Sequence, residues 1–163
     1  MTVPTTPDAS AIADRQAWLA LLAASDRAAL GERVSPWLAQ HPTRLLRSPE
    51  IGLVMLRARI SRSGDRFHLG EVPVTRCALQ LVLEGPDDEA GPMGIGYVLG
   101  RDPERALWTA TVDALMQLPD VAPDLRRAVL RPLALHNAAR RAEAAARAAS
   151  SRVEFFTLQG EPA

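Results

Sequence analysis

Apolar residues recur at helical spacing from Ala11 onward, with Trp18, Leu19 and Leu22 on one side of a first helix. Leu30, Val34, Trp37 and Leu38 follow at i, i+4, i+7 and i+8 and predict a second. Pro36 lacks an amide proton and crowds the preceding turn, so it is expected to split or kink that second helix. Between Ile51 and Ile60 the period drops to two. Val54, Leu56, Ala58 and Ile60 point one way and Arg57 and Arg59 the other, which predicts a half-buried strand. The turn SRSGD at Ser61–Asp65 leads to a second strand at Val72–Leu83, with Cys77, Leu79, Leu81 and Leu83 inward and Arg76, Ala78 and Gln80 outward. After the polar loop EGPDDEAGPMG, Ile95, Tyr97 and Leu99 mark a third alternating strand. Links this short favour an antiparallel meander, since a parallel pair needs a crossover of about a dozen residues or more.

The period switches back at Asp102-Pro103, where an aspartate N-cap precedes a proline at the first helical position. The helix that follows carries Leu107, Trp108, Thr111, Leu115 and Leu118 on one broad face, with Asp113 and Gln117 on the other, and ends before Pro119. A further helix begins near Pro123 and restarts at Pro132. Its last part sets Leu135, Ala138, Ala142, Ala145 and Ala149 on one side and Arg140, Glu143 and Arg147 on the other. An alanine ribbon has high helix propensity but buries little area, so this helix is expected to need close packing against something else. The fold class expected is α+β: a small antiparallel meander of three to four strands flanked by N-terminal helices and C-terminal helices. Residues 1–10 read as a disordered leader and 11–150 as a single domain. Residues 151–163, with Val153, Phe155 and Phe156, read as a docking tail or edge strand.

Composition changes this picture mainly by exclusion. The chain has 163 residues, 47% of them hydrophobic, enough for one domain with a real core. Nineteen basic residues balance nineteen acidic ones, so no global field draws the chain to nucleic acid or membrane. Every basic residue is arginine, a bias that GC-rich coding produces, and the absence of lysine removes Schiff-base and phosphate-loop lysine chemistry. Cys77 is the only cysteine, which rules out an intrachain disulfide and suits a reducing compartment. No apolar run approaches about 20 residues, and the first residues lack a basic region followed by an apolar one. A soluble, cytoplasmic protein is expected.

Candidate chemistry is sparse. GIGYVLGRD fits neither glycine-rich nucleotide-loop spacing and reads as a strand ending in a turn. Arg57, Arg59 and Arg76 on outward strand faces, with Arg101 at a helix start, form a candidate cluster for a partner subunit or a phosphate-bearing ligand, with a solvated face as the plain alternative. His41, His68 and His136 are scattered without ligand spacing, so no metal site is expected. Cys77 reads as a buried small hydrophobe, and no GxSxG elbow or assignable carboxylate pair is present. No catalytic residue is assigned.

Several stretches together nevertheless resemble a known family: PEIGLVMLRARI at Pro49–Ile60, FHLGEVPVTRC at Phe67–Cys77, GYVLGRD at Gly96–Asp102, DALMQ at Asp113–Gln117 and SRVEFFT at Ser151–Thr157. With the Arg-x-x-Trp start at Arg15–Trp18, roughly residues 15 to 160 resemble the PhnG family, the G subunits of the bacterial carbon–phosphorus lyase system for phosphonate use. The turn SRSGD is less glycine-rich than the family pattern, and the acidic loop Gly85–Gly91 looks like a local insertion. The resemblance implies membership of a hetero-oligomeric core complex with the H, I and J subunits, closest to I, in an accessory, non-catalytic role. With the ATP-binding L protein, the G, H and I subunits are expected to make ribose 1-phosphonate 5-triphosphate by displacing adenine from ATP with an alkylphosphonate. ATP, the iron–sulfur cluster and S-adenosylmethionine are expected on partner subunits, the last two serving the J subunit's carbon–phosphorus cleavage, and no cofactor on this chain. Phe155 and Phe156 then join the arginines as candidate partner contacts, with residues 133–158 expected to dock on another chain.

Two other classes compete with a subunit. Seven arginines against two acids between Pro123 and Arg152 suggest a stand-alone anion- or nucleic-acid-binding adaptor, but the excess is modest and the aromatics are not interleaved with the arginines. A stand-alone transferase would need Arg57, Arg76 and Arg101 to form a complete site.

Overall fold

The computed structural model describes residues 9–60, 64–83 and 90–150. The order is α1 (Ala9–Ala24), α2 (Arg27–Gln40), β1 (Thr43–Arg59), β2 (Arg66–Val82), β3 (Ala90–Leu99), α3 (Pro103–Leu115), α4 (Ala122–Leu125), a π-helical turn (Arg126–Leu130) and α5 (Arg131–Ser150). The three strands pair antiparallel in the order β1-β2-β3, with helices before and after them, so the fold is the expected α+β meander. The turn around Ser61 and the acidic loop lie partly outside the described residues.

Local chemistry sets most boundaries. Asp26 caps α2 by accepting from the amides of Ala28 and Ala29, at 3.0 and 3.3 Å. The Ala29 bond foremost holds its carboxyl below the usual carboxylate range. Asp102 caps α3 by accepting from Arg105 N at 3.0 Å, with Pro103 at the helix start. Pro36 does not split α2, the first of the two outcomes expected for it. The bond it forfeits is to the carbonyl of Glu32, and both residues are exposed, so water can take that place. Pro132 is accommodated by the π turn, in which Arg131 N–H reaches back to Arg126 O and helical pairing shifts by one residue.

α3 is the axis of the core. It lies across β2 and β3, while α1, α2 and the α4–α5 segment close around it. Leu22, Leu30, Val34, Leu115, Val129 and Leu133 are fully buried there. Against β3 the contact is backbone to backbone. Gly94 and Gly96 face α3, and a Cβ on either would fall 1.9 Å from a helix carbonyl, that of Ala110 or Ala106 respectively. The buried side of β3 is therefore Gly94, Gly96 and Val98, while Ile95, Tyr97 and Leu99 point away from the helix and are exposed.

Four expectations need correction. The first strand starts at Thr43 rather than Ile51, because register shifts between Leu45 and Arg47 and between Arg47 and Glu50 break the period-two pattern. Nor is it half-buried: Val54, Leu56 and Ile60 are exposed because α3 covers the neighbouring strands. Asp113 does not face solvent but is completely buried, since α3 is covered on nearly every side. Leu83, expected inward, is exposed just past the end of β2.

Candidate partner interface

β1 and β2 are each 17 residues long and run well past α3 as a two-stranded ribbon. Cross-strand pairs such as Leu53–Pro73, Val54–Val72, Met55–Glu71 and Ala58–Phe67 hold it together. Apolar side chains nevertheless emerge from both of its faces. Leu53 is 60% exposed and Leu69 63%, with Ile51, Met55, Leu56 and Phe67 open as well. The outer edge of β1 pairs with no strand among the described residues, and Pro49, which cannot donate to a ladder, sits on that edge strand. Across the sheet, Ile95, Tyr97 and Leu99 continue the exposed apolar surface on the side away from α3, Leu99 at 64%. A contiguous apolar surface of this kind marks an interaction site rather than ordinary scatter.

The expected arginines are distributed along this surface and not gathered. Arg76 donates to Glu50, its partner across the ladder, and that bond chiefly, with a smaller contribution from Tyr97, raises its pKa. Arg57 lies opposite His68 and Arg59 opposite Arg66, further out along the ribbon. Arg57 is about 23 Å from Glu50 at about 3.3 Å per residue. Arg101 is exposed in the turn between β3 and α3. Phe155 and Phe156 lie outside the described residues.

No reactive arrangement accompanies these surfaces among the described residues. His41 stacks on Trp37, its ring Nδ1 2.9 Å from the Trp37 carbonyl, and no group of three or more His, Cys, Asp or Glu side chains comes together. Cys77 is buried on β2, as expected, and burial pushes its thiol up to about 11 against the opposing hydrogen bond from Gly96. At pH 8 it is overwhelmingly the inert thiol. A disulfide reagent at that pH is expected to titrate no thiol in the folded chain and one in denaturant. Rapid titration of the folded chain would contradict this burial.

The feature that sequence reasoning missed is the centre under α1. The Asp113 carboxylate accepts from Arg15 Nε at 3.0 Å, Arg15 Nη2 at 2.7 Å, Trp18 Nε1 at 2.9 Å and Ile95 N at 2.9 Å. One buried anion thus ties α1 and β3 to α3. Beside it runs an apolar trough of about 580 Å³ between α1 and β3, lined by Ile12, Trp18, Leu19 and Ile95. Two of its polar groups are already engaged, Arg15 by Asp113 and Gln117 Nε2 by the carbonyls of Met93 and Asp113. The Arg-x-x-Trp spacing at the chain start was the available signal, but its acidic partner lies almost 100 positions away.

Comparison with known proteins places the chain among others of related sequence. A family model described as "Phosphonate metabolism protein PhnG" matches residues 13–160. A curated protein of Rhizobium meliloti (strain 1021), "Alpha-D-ribose 1-methylphosphonate 5-triphosphate synthase subunit PhnG", is 35% identical over 161 residues, covering 97% of this chain and 96% of its own length. Among the described residues no helix is long and apolar enough to cross a membrane.

Proposed function

We propose, from the premise that this chain belongs to the PhnG family, that it is an accessory, non-catalytic subunit of the carbon–phosphorus lyase core complex. In that role it supports formation of ribose 1-methylphosphonate 5-triphosphate from ATP and alkylphosphonate with release of adenine, within the cytoplasm. Its partners are the H, I and J subunits, with I the closest. ATP, the iron–sulfur cluster and S-adenosylmethionine belong to partner chains. The observation that carries this reading is the long ribbon of β1 and β2, apolar on both faces and open along one edge. Such a surface is favourable only when another polypeptide covers it. Arg57, Arg59, Arg76 and Arg101 supply its polar rim, and Phe155 and Phe156 are further candidate partner contacts.

The double variant Leu53→Asp, Met55→Asp tests it. Both side chains are already exposed, so thermal unfolding of the isolated chain should reflect no more than the roughly 1 kcal/mol that a carboxylate opposite Glu71 can cost. Recovery of the H, I and J subunits on the tagged variant should fall at least about tenfold, as expected when apolar anchors at an interface are replaced by charges. Adenine release by the reconstituted complex should fall with it. Undiminished recovery would refute the ribbon as the interface, and adenine release by this chain alone would refute the non-catalytic role.

A further inference from the structure

α5 leaves the body of the protein partway along its length. Leu133 and Asn137 are its buried positions, and every residue from 138 to 150 is exposed. That is a projecting helix of about 20 Å at about 1.5 Å per residue. A helix this short is marginal in water without tertiary support. Asn137, Arg140, Arg141, Ala144 and Arg147 follow at spacings of three and four, so the face that buries Asn137 continues outward as guanidinium groups around a small residue. With Ala24 at the end of α1, these side chains line a cleft of about 310 Å³.

The cleft contains an unmet demand. Asn137 is only 5% exposed. Its Nδ2 donates to Ser25 Oγ at 3.1 Å and Leu21 O at 3.4 Å, which fixes the amide orientation, and Oδ1 is left with no hydrogen-bond partner. A buried acceptor without a donor is costly, so the site calls for an N–H or O–H group from elsewhere. Around it, none of Arg140, Arg141 and Arg147 forms an ion pair among the described residues, and Glu143 is the only acid in the lining. Arg140 acts on Asp26 through space alone.

We propose that this cleft, with the face of α5 beyond it, receives an acidic segment of another polypeptide. Its carboxylates meet Arg140, Arg141 and Arg147, and one of its N–H groups meets Asn137 Oδ1. A polypeptide offers both kinds of group on one backbone. An inorganic anion would satisfy the guanidinium groups, but it would bring another acceptor to Asn137 and leave the rest of α5 uncovered. Ala144, between the arginines, lets a backbone approach closely. The inference rests on the subunit reading, because the acidic segment belongs to a chain of the same assembly.

The absence of lysine provides the test. Arg147→Lys keeps the charge and the helix propensity and gives the chain its only side-chain amine. In the assembly with the H, I and J subunits, a carbodiimide should couple that amine to an Asp or Glu of another subunit, located by mass spectrometry. Arg127→Lys is the internal control and should couple to Asp124, which Arg127 contacts at 2.6 Å. Amide exchange over residues 138–150 should slow at least about tenfold on assembly. Coupling only to Glu143, or none in an intact assembly, would overturn the cleft while leaving the subunit reading in place. Protection of α5 by inorganic tripolyphosphate or duplex DNA but not by assembly would also overturn it. Failure of the unaltered chain to assemble would sink both.

Discussion

Asp113→Ala is expected to remove about 2–5 kcal/mol of stability, mainly the penalty of about 1–3 kcal/mol for each buried donor that it strands. The carboxylate is completely buried, and its two oxygens receive both Arg15 contacts, the Trp18 indole N–H and the Ile95 amide. Alanine would leave the last two donors buried with nothing to bond, while Arg15, about a third exposed, would regain water. It would also cut the polar tie that fixes α1 and β3 on α3. Against a total of about 5–15 kcal/mol for an ordinary domain, such a loss brings the chain close to unfolding at ambient temperature. Asp113→Asn keeps the shape and one acceptor oxygen and should cost less. Urea unfolding followed by Trp fluorescence would measure both, and a loss below about 1 kcal/mol for the alanine variant would show that the buried ion contributes little net stability.

Gly94→Ala is expected to cost about 3 kcal/mol, at the upper end for overpacking by a single methyl. The added carbon would sit 1.9 Å from Ala110 O and 2.8 Å from Ala114 N, and Gly96→Ala would place one 1.9 Å from Ala106 O. These obstacles are backbone, so no rotamer change relieves them and α3 must lift off the sheet. Because α3 is also the floor for α1 and α2, lifting it opens the core on both sides. Gly52→Ala on β1 provides the contrast. Nothing lies within 4 Å of its added carbon, and its cost should stay within about 0.5 kcal/mol. Thermal unfolding of the three variants side by side would decide the matter, and equal midpoints for Gly94→Ala and Gly52→Ala would contradict the close helix–strand contact.

Much of the architecture was legible because local signals and long-range packing agreed. The Asp102-Pro103 start of α3 and the inward set Cys77, Leu79 and Leu81 on β2 appear where period and capping chemistry place them. Bulges hid the first part of β1, since each shift of register inverts the alternation on which strand recognition depends. On β3 the alternation was visible, but only the fold reveals that α3 needs the glycine side. The Asp113 hub was hidden for another reason: a buried aspartate and a solvated one look alike in sequence until the distant Arg15 and Trp18 are brought to it. Exposure of β1 was equally unreadable, because a strand covered by a neighbouring chain carries the same apolar residues as one covered by its own. The arginines were expected on one side of the strands, but the register opposes Arg76 to Glu50, seven and nine residues from Arg57 and Arg59, which places those two on the other face of the ribbon.

The open edge of β1 also makes dosage a structural matter. A strand of 17 residues with apolar side chains on both faces and, among the described residues, an unmatched row of amides and carbonyls is a template for its own kind. Copies synthesised in excess of the polypeptides that shield them would tend to zip onto one another, so balanced production belongs to the stability of this protein as much as any bond inside it.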